Sequence, residues 1–206
     1  IVSNIVMDSS KFYIASKEKV SCIDINTGRI IWSQPLPKDL VSKSTLFIKN
    51  GILYLVGSGF AYMGQRQLDY GKPFIAAYNI DDGNPKFFNP ISTKESINGL
   101  QIRGESISLV FKKSIMKYSL TDGNLITIES YRPEEIGDLR YFVGPRVYIS
   151  GDSLYKSLTL SDTTKQFVFT TKGKALILNS KLKMEGQIDF EDLFINYENS
   201  GDYTFI

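Results

Sequence analysis

Apolar and polar residues alternate over short stretches of the chain, and polar turn residues separate those stretches. Lys11-Phe12-Tyr13-Ile14-Ala15-Ser16-Lys17-Glu18-Lys19-Val20-Ser21-Cys22-Ile23 shows the pattern, and Gln166-Phe167-Val168-Phe169-Thr170-Thr171-Lys172-Gly173-Lys174-Ala175-Leu176-Ile177-Leu178 repeats it without a gap. A period of two places every second side chain on one face, so both segments predict a strand, a tight turn and a second strand. A fixed self-similarity of this kind is the mark of a repeat architecture.

A second turn signal follows each such hairpin: Asn26-Thr27-Gly28, Asp81-Asp82-Gly83, Thr121-Asp122-Gly123 and a degenerate Lys181-Leu182-Lys183. Glycine at the last position supplies the positive φ that the turn requires, and the fourth copy lacks it. Gly83 and Gly123 stand 40 residues apart, Gly28 and Gly83 are 55 apart, and Gly123 and Lys183 are 60 apart. The longer intervals predict two insertions. One lies between the second and third strands of the second unit, over 58–73. The other lies within 129–155, where 140–143 and 146–150 around Gly144-Pro145 predict an extra short hairpin.

The expected fold is all-β, a β-propeller of four-stranded antiparallel blades at 2–34, 43–91, 97–130 and 154–190, with the first two strands of a fifth at 193–206. About four and a half blades leave open flanks, so a larger ring of roughly six to eight blades is expected. Composition agrees: 12 Tyr and 13 Phe against one Trp favour pleated, half-buried surfaces.

The stretch Cys22-Ile23-Asp24-Ile25-Asn26-Thr27-Gly28-Arg29-Ile30-Ile31-Trp32 resembles the repeat of quinoprotein-like (PQQ-like) propellers, with a small residue, an Asp, a Thr-Gly turn and a Trp at that spacing. Later copies are partial, with Phe87 and Thr127 where the Trp would stand. The resemblance implies that Trp32 packs between blades and that Asp24 caps its turn. It also implies either a quinone-dependent dehydrogenase or a non-catalytic relative similar to the propeller lipoprotein of outer-membrane assembly, and with it an extracytoplasmic setting in the periplasm or at the outer membrane.

Chemistry narrows that choice. With 24 basic and 22 acidic residues the chain has no field to recruit nucleic acid or an anionic membrane. No apolar run approaches the roughly 18 residues of a membrane span. Histidine is absent, which removes Ser-His-Asp and Cys-His catalysis and the commonest transition-metal ligand. Cys22 has no second cysteine for a disulfide or a zinc site, and the adjacent-cysteine disulfide of quinone alcohol dehydrogenases has no counterpart. Gly57-Ser58-Gly59 runs into Phe60-Ala61-Tyr62 and not into a P-loop. The acidic pairs Asp81-Asp82, Glu134-Glu135 and Glu191-Asp192 read as solvated turn charges. The expectation is a protein that is not an enzyme, with no catalytic residues, no metal and no cofactor.

Loops are left to carry function. In an antiparallel blade, strand-two to strand-three loops and blade-to-blade connections emerge on the same face, so both insertions are expected there. Phe60, Tyr62, Arg66 and Tyr70 in the first, and Tyr131 and Arg132 in the second, are the candidate binding residues, since aromatics and Arg are enriched at interfaces. Met63, Arg140 and Tyr141 accompany them, and the alternative is that these side chains pin the loops to the blades. The expected partner is a protein. A small-molecule or carbohydrate ligand is the second possibility, and a fragment of a quinone-dependent oxidoreductase the third.

Overall fold

The computed structural model describes residues 3–16, 18–37, 43–63, 66–143, 146–151, 154–159, 165–189, 194–197 and 204–205. The chain folds as two compact units, Ile1–Ile97 and Asn98–Ile206. Both are built from antiparallel sheets of the β-propeller class.

In the first unit, β1 (Val6–Asp8), β2 (Lys11–Ala15), β3 (Lys19–Asp24) and β4 (Ile30–Pro35) pair in sequence order as one four-stranded sheet. The second sheet consists of β5 (Ser44–Lys49), β6 (Ile52–Gly57), β9 (Phe74–Asn79) and β10 (Pro85–Pro90), again paired in sequence order. Between its second and third strands stands a separate two-stranded ribbon, β7 (Phe60–Met63) and β8 (Arg66–Asp69).

Alternation explains the packing of this unit. Tyr13 and Ala15 on β2, Val20 and Cys22 on β3, and Trp32 on β4 point to one side. They meet Leu46, Leu53, Leu55, Phe74, Ala76 and Tyr78 of the second sheet. Each large apolar side chain so buried contributes about 1.5–3 kcal/mol relative to exposure. The joint is closed at its rim by the Asp81-Asp82-Gly83 turn. Gly83 has φ +72, and a Cβ there would stand 2.5 Å from the Trp32 ring, so only glycine admits the indole. Trp32 Nε1–H donates to the Ile80 carbonyl at 3.1 Å, and the Tyr13 hydroxyl donates to the same oxygen at 3.5 Å.

In the second unit, β11 (Gly99–Arg103), β12 (Ser106–Val110), β13 (Ser114–Ser119) and β14 (Leu125–Ser130) form the third sheet. A short helix, α1 (Pro133–Ile136), follows, and then β15 (Leu139–Val143), β16 (Arg146–Gly151) and β17 (Leu154–Thr159). The fourth sheet is β15 with β18 (Gln166–Thr170), β19 (Lys174–Leu178) and β20 (Met184–Asp189).

Two expectations are corrected at this point. The fourth sheet takes Leu139–Val143 as its first strand, whereas the sequence reading began that blade at 154 and assigned 140–143 to an extra hairpin. Leu139 and Phe142 are buried against Val168 and Leu176. A register shift between Leu139 and Phe142 breaks the alternation that would have marked the strand. The extra hairpin is β16 with β17. The segment 193–206 does not open a fifth sheet by itself: β21 (Phe194–Tyr197) pairs with β16, and β22 (Thr204–Phe205) adds to the edge of the third sheet beside β11.

The joint between the third and fourth sheets has the same position as the first and a different chemistry. Thr127 takes the place of Trp32, and the turn is one residue shorter, with Leu182 at φ +66. Leu182 is fully buried among Val110, Ile115, Leu139 and Leu178. Polar contacts replace the indole: the Tyr131 hydroxyl donates to the Leu182 carbonyl, Lys117 Nζ donates to the Ser180 carbonyl at 3.2 Å, and Lys183 pairs with Glu129 at 2.6 Å.

Candidate functional site

The ribbon grows from the end of the second sheet at which the flanking connections also arrive. Ser58 N–H donates to the Lys43 carbonyl at 2.7 Å, and Lys43 N–H to the Phe60 carbonyl at 2.6 Å. Ile97 N–H donates to the Ser58 carbonyl and Ile91 N–H to the Pro73 carbonyl, each at 2.8 Å. Gly59 turns the chain out of β6 at φ +76, with Pro73 packed 2.9 Å from where a Cβ would stand. Backbone bonds to three neighbouring segments therefore hold the base of the ribbon.

Register divides the ribbon into two faces. Phe60 stands opposite Asp69, Ala61 opposite Leu68, Tyr62 opposite Gln67 and Met63 opposite Arg66. Phe60 and Tyr62 share one face. Phe60 is 7 % exposed and acts as the anchor, its ring meeting that of Tyr62 edge-on at 5.5 Å. Lys43 Nζ lies 5.6 Å from the Phe60 ring centre and 5.3 Å from that of Tyr62. Such a cation over two rings holds Tyr62 in place while leaving it 56 % exposed.

Arg66 and Leu68 lie on the opposite face, and the pairing runs on through Tyr70, whose N–H donates to the Gly59 carbonyl at 3.0 Å. Period two therefore brings Arg66, Leu68 and Tyr70 to one side. Leu68 is 43 % exposed and Tyr70 54 %. At the ribbon's end Asp69 accepts a hydrogen bond from Ser96 Oγ at 2.6 Å. The sequence reading grouped Phe60, Tyr62, Arg66 and Tyr70 as one cluster. The structure brings Arg66 and Tyr70 together on one face and Phe60 with Tyr62 on the other. Lys43 and Leu68 were missed, although the period of two that places Leu68 between Arg66 and Tyr70 was readable.

Tyr131 and Arg132 belong to the second unit. Tyr131 is half-buried against the core of that unit, and burial together with the Glu129 charge pushes its phenol up. With its hydroxyl on Leu182, it braces the joint. Arg132 stands at the N-terminal boundary of α1 without a side-chain capping bond, exposed, with Nη1 3.4 Å from Glu135. Tyr141 rests against the Phe169 ring at 5.8 Å, and Arg140 is exposed.

Among the described residues no three metal-ligating side chains converge, and no helix is long and apolar enough to cross a membrane. Burial raises the pKa of the Cys22 thiol, which suits a packing residue more than a nucleophile.

No family model matches the chain, and comparison with curated proteins returns no match. Solved structures do match. A europium-containing methanol dehydrogenase is similar with a TM-score of 0.61 at 10% identity, over 91% of this chain and 41% of its own. Quinohemoprotein alcohol dehydrogenase ADHIIG from Pseudomonas putida HK5 is similar with a TM-score of 0.56 at 10% identity, over 90% of this chain and 34% of its own. BamB from Moraxella catarrhalis is matched with a TM-score of 0.46 at 12% identity, over 92% of this chain and 64% of its own. The chain spans less than two thirds of each of these proteins. At such identity the likeness is one of fold alone, and the fold is a β-propeller.

Proposed function

We propose that the chain is a non-enzymatic propeller scaffold that binds a protein partner through the β7–β8 ribbon, in an extracytoplasmic complex. The observation that carries this reading is the ribbon itself. A rigidly rooted hairpin presents Arg66, Leu68 and Tyr70 on one face and Tyr62 on the other, and Tyr and Arg are types that supply most of the energy at protein interfaces. Lys43, Arg66 and Lys72 are exposed around it, whereas Asp69 is engaged by Ser96. The surface therefore favours a partner segment that combines apolar anchors with carboxylates. The lack of histidine supports a binding role over a catalytic one.

Alanine at Tyr62, Arg66 and Tyr70 together leaves the anchor Phe60 intact, so the fold is expected to survive. Affinity capture from native membranes and soluble extract, compared with the parent chain, is expected to lose the partner. Retention of every captured protein at unchanged yield would overturn the reading. A thermal shift with simple sugars that disappears in the same variant would point to a glycan ligand instead. Recovery of the natively expressed protein in the cytosolic fraction alone would argue against the extracytoplasmic setting.

A further inference from the structure

The two ribbon strands differ in what meets their outer edges. Antiparallel pairing alternates residues whose backbone groups turn toward the facing strand with residues whose groups turn away. Tyr70 N–H donates to the Gly59 carbonyl at 3.0 Å, and this sets the phase. Counting back along the register, the backbone groups of Phe60 and Asp69, and of Tyr62 and Gln67, turn outward. The Phe60 carbonyl agrees, since it accepts from Lys43 N–H at 2.6 Å. β7 is thereby closed at its root. β8 pairs with β7 alone, and among the described residues no backbone group bonds to Gln67 or Asp69 from the other side. Their N–H and C=O groups form an open row for a further strand.

The outer strands of the four sheets are blunted. The pairings of β4, β10, β14 and β20 each carry a register shift, and proline ends β4 and stands at both ends of β10. Bulges and prolines of this kind keep another chain from pairing. β8 has neither: its register runs unbroken from Arg66 to Asp69, without proline or glycine. Its side chains add a recognition pattern. Arg66, Leu68 and Tyr70 are exposed on one face, and Arg66 meets no carboxylate among the described residues. Asp69, on the opposite face, is held by Ser96 Oγ.

We propose that the ribbon takes its partner by strand addition. An extended segment of another protein pairs antiparallel with the outer edge of β8, carrying in N-to-C order an aromatic residue opposite Tyr70, a β-branched apolar residue opposite Leu68 and a carboxylate opposite Arg66. This rests on the ribbon being the binding surface and adds how the partner is held. Backbone bonds at Gln67 and Asp69 supply affinity, and the three cross-strand pairs supply selection. A second copy of β8 does not meet the description. Outward-turned residues must oppose each other, so in a self-paired β8 Arg66 never stands opposite Asp69, the one carboxylate of the strand.

The probe is the end-blocked heptapeptide Thr-Tyr-Thr-Val-Thr-Glu-Thr, titrated into the intact chain and followed by backbone amide shifts in NMR. Saturable binding is expected, with shifts centred on 67–69. N-methylation of the threonine between Val and Glu, which stands opposite Gln67, removes an edge bond and is expected to weaken binding at least about tenfold. N-methylation of Val, whose N–H turns away from β8, is expected to leave affinity within about twofold. In the protein, Gln67→Pro removes one outward donor and leaves Arg66, Leu68 and Tyr70 in place, and is expected to lose the peptide that Gln67→Ala retains. No saturable binding, or equal loss from the two N-methyl groups, would overturn the proposal. So would self-association of the chain that Gln67→Pro abolishes, since a second copy would then be the occupant. A native partner lost on alanine substitution at Tyr62, Arg66 and Tyr70 but kept by Gln67→Pro would overturn strand addition and leave the ribbon as the binding surface. One kept by both variants would overturn the ribbon as well.

Discussion

Three residues in the left-handed region show how much of each joint a single position decides. Gly28, Gly83 and Leu182 all sit at φ between +66 and +72, yet one has no neighbour among the described residues, one lies under an indole and one is itself buried. Alanine at Gly28 meets only the backbone cost of a positive φ, about 1 kcal/mol. Alanine at Gly83 adds a Cβ 2.5 Å from the Trp32 ring, and overpacking of that kind costs about 1–3 kcal/mol more. Urea unfolding followed by Trp32 fluorescence is therefore expected to show Gly83→Ala losing about 2–4 kcal/mol and Gly28→Ala about 1. Equal losses would mean that the indole does not rest on Gly83. At Leu182 the strain is offset by a fully buried side chain, which is why a turn without glycine persists in the fourth sheet.

Elements differ in the same way, since the two joints solve one packing problem with different side chains. Trp32 fills the first. In the second, Thr127 leaves the place to Leu182, and Tyr131, Lys117 and Glu129 clamp the turn from the third sheet. The clamp has a strong and a weak arm. Tyr131→Phe leaves the Leu182 carbonyl without its donor and is expected to cost about 1–2 kcal/mol, independent of salt. Lys183→Ala removes an ion pair whose Lys side chain is 63 % exposed, and is expected to cost under about 0.5 kcal/mol and to vanish at high salt. Denaturant midpoints for both variants at low and high salt check the pair, and a larger loss for Lys183→Ala would reverse the ranking. The four-stranded repeat was legible because its turns carry glycine and its strands alternate. The start of the fourth sheet was not, because the shift at 139–142 hides Leu139 and Phe142 from a period of two. Of the site, Tyr62, Arg66 and Tyr70 were legible as exposed, whereas the pairing of Phe60–Met63 with Arg66–Asp69 turned the expected loop into a ribbon. Burial of Phe60 and the place of Lys43 depend on backbone bonds between segments remote in sequence, which no local pattern records.

For the whole molecule, the buried phenols set an alkaline limit. Burial raises Tyr78 to about 12, and burial also raises Tyr13, Tyr118 and Tyr131 above the ordinary tyrosine value. Below about pH 10 these groups are neutral whether the chain is folded or not, so their contribution is fully present there. As pH rises through 10 the unfolded chain releases their protons while the native state retains them. Each group then withdraws about 1.4 kcal/mol per pH unit until its own folded value is reached. Tyr78 alone removes about 2 kcal/mol by pH 12, a large share of the roughly 5–15 kcal/mol that holds a typical domain together, and the other three phenols add to the loss. Stability measured by urea unfolding is expected to be flat from pH 7 to 8, to begin falling near pH 9 as the unfolded chain releases the Cys22 proton that the native state retains, and to fall steeply above pH 10. Tyrosinate absorbance from Tyr13, Tyr78, Tyr118 and Tyr131 should rise in one step that coincides with loss of the sheet signal in circular dichroism. Ionisation of Tyr13, Tyr78, Tyr118 and Tyr131 near pH 10, with the sheet signal intact, would show that they are open to solvent and that the blades do not pack as described.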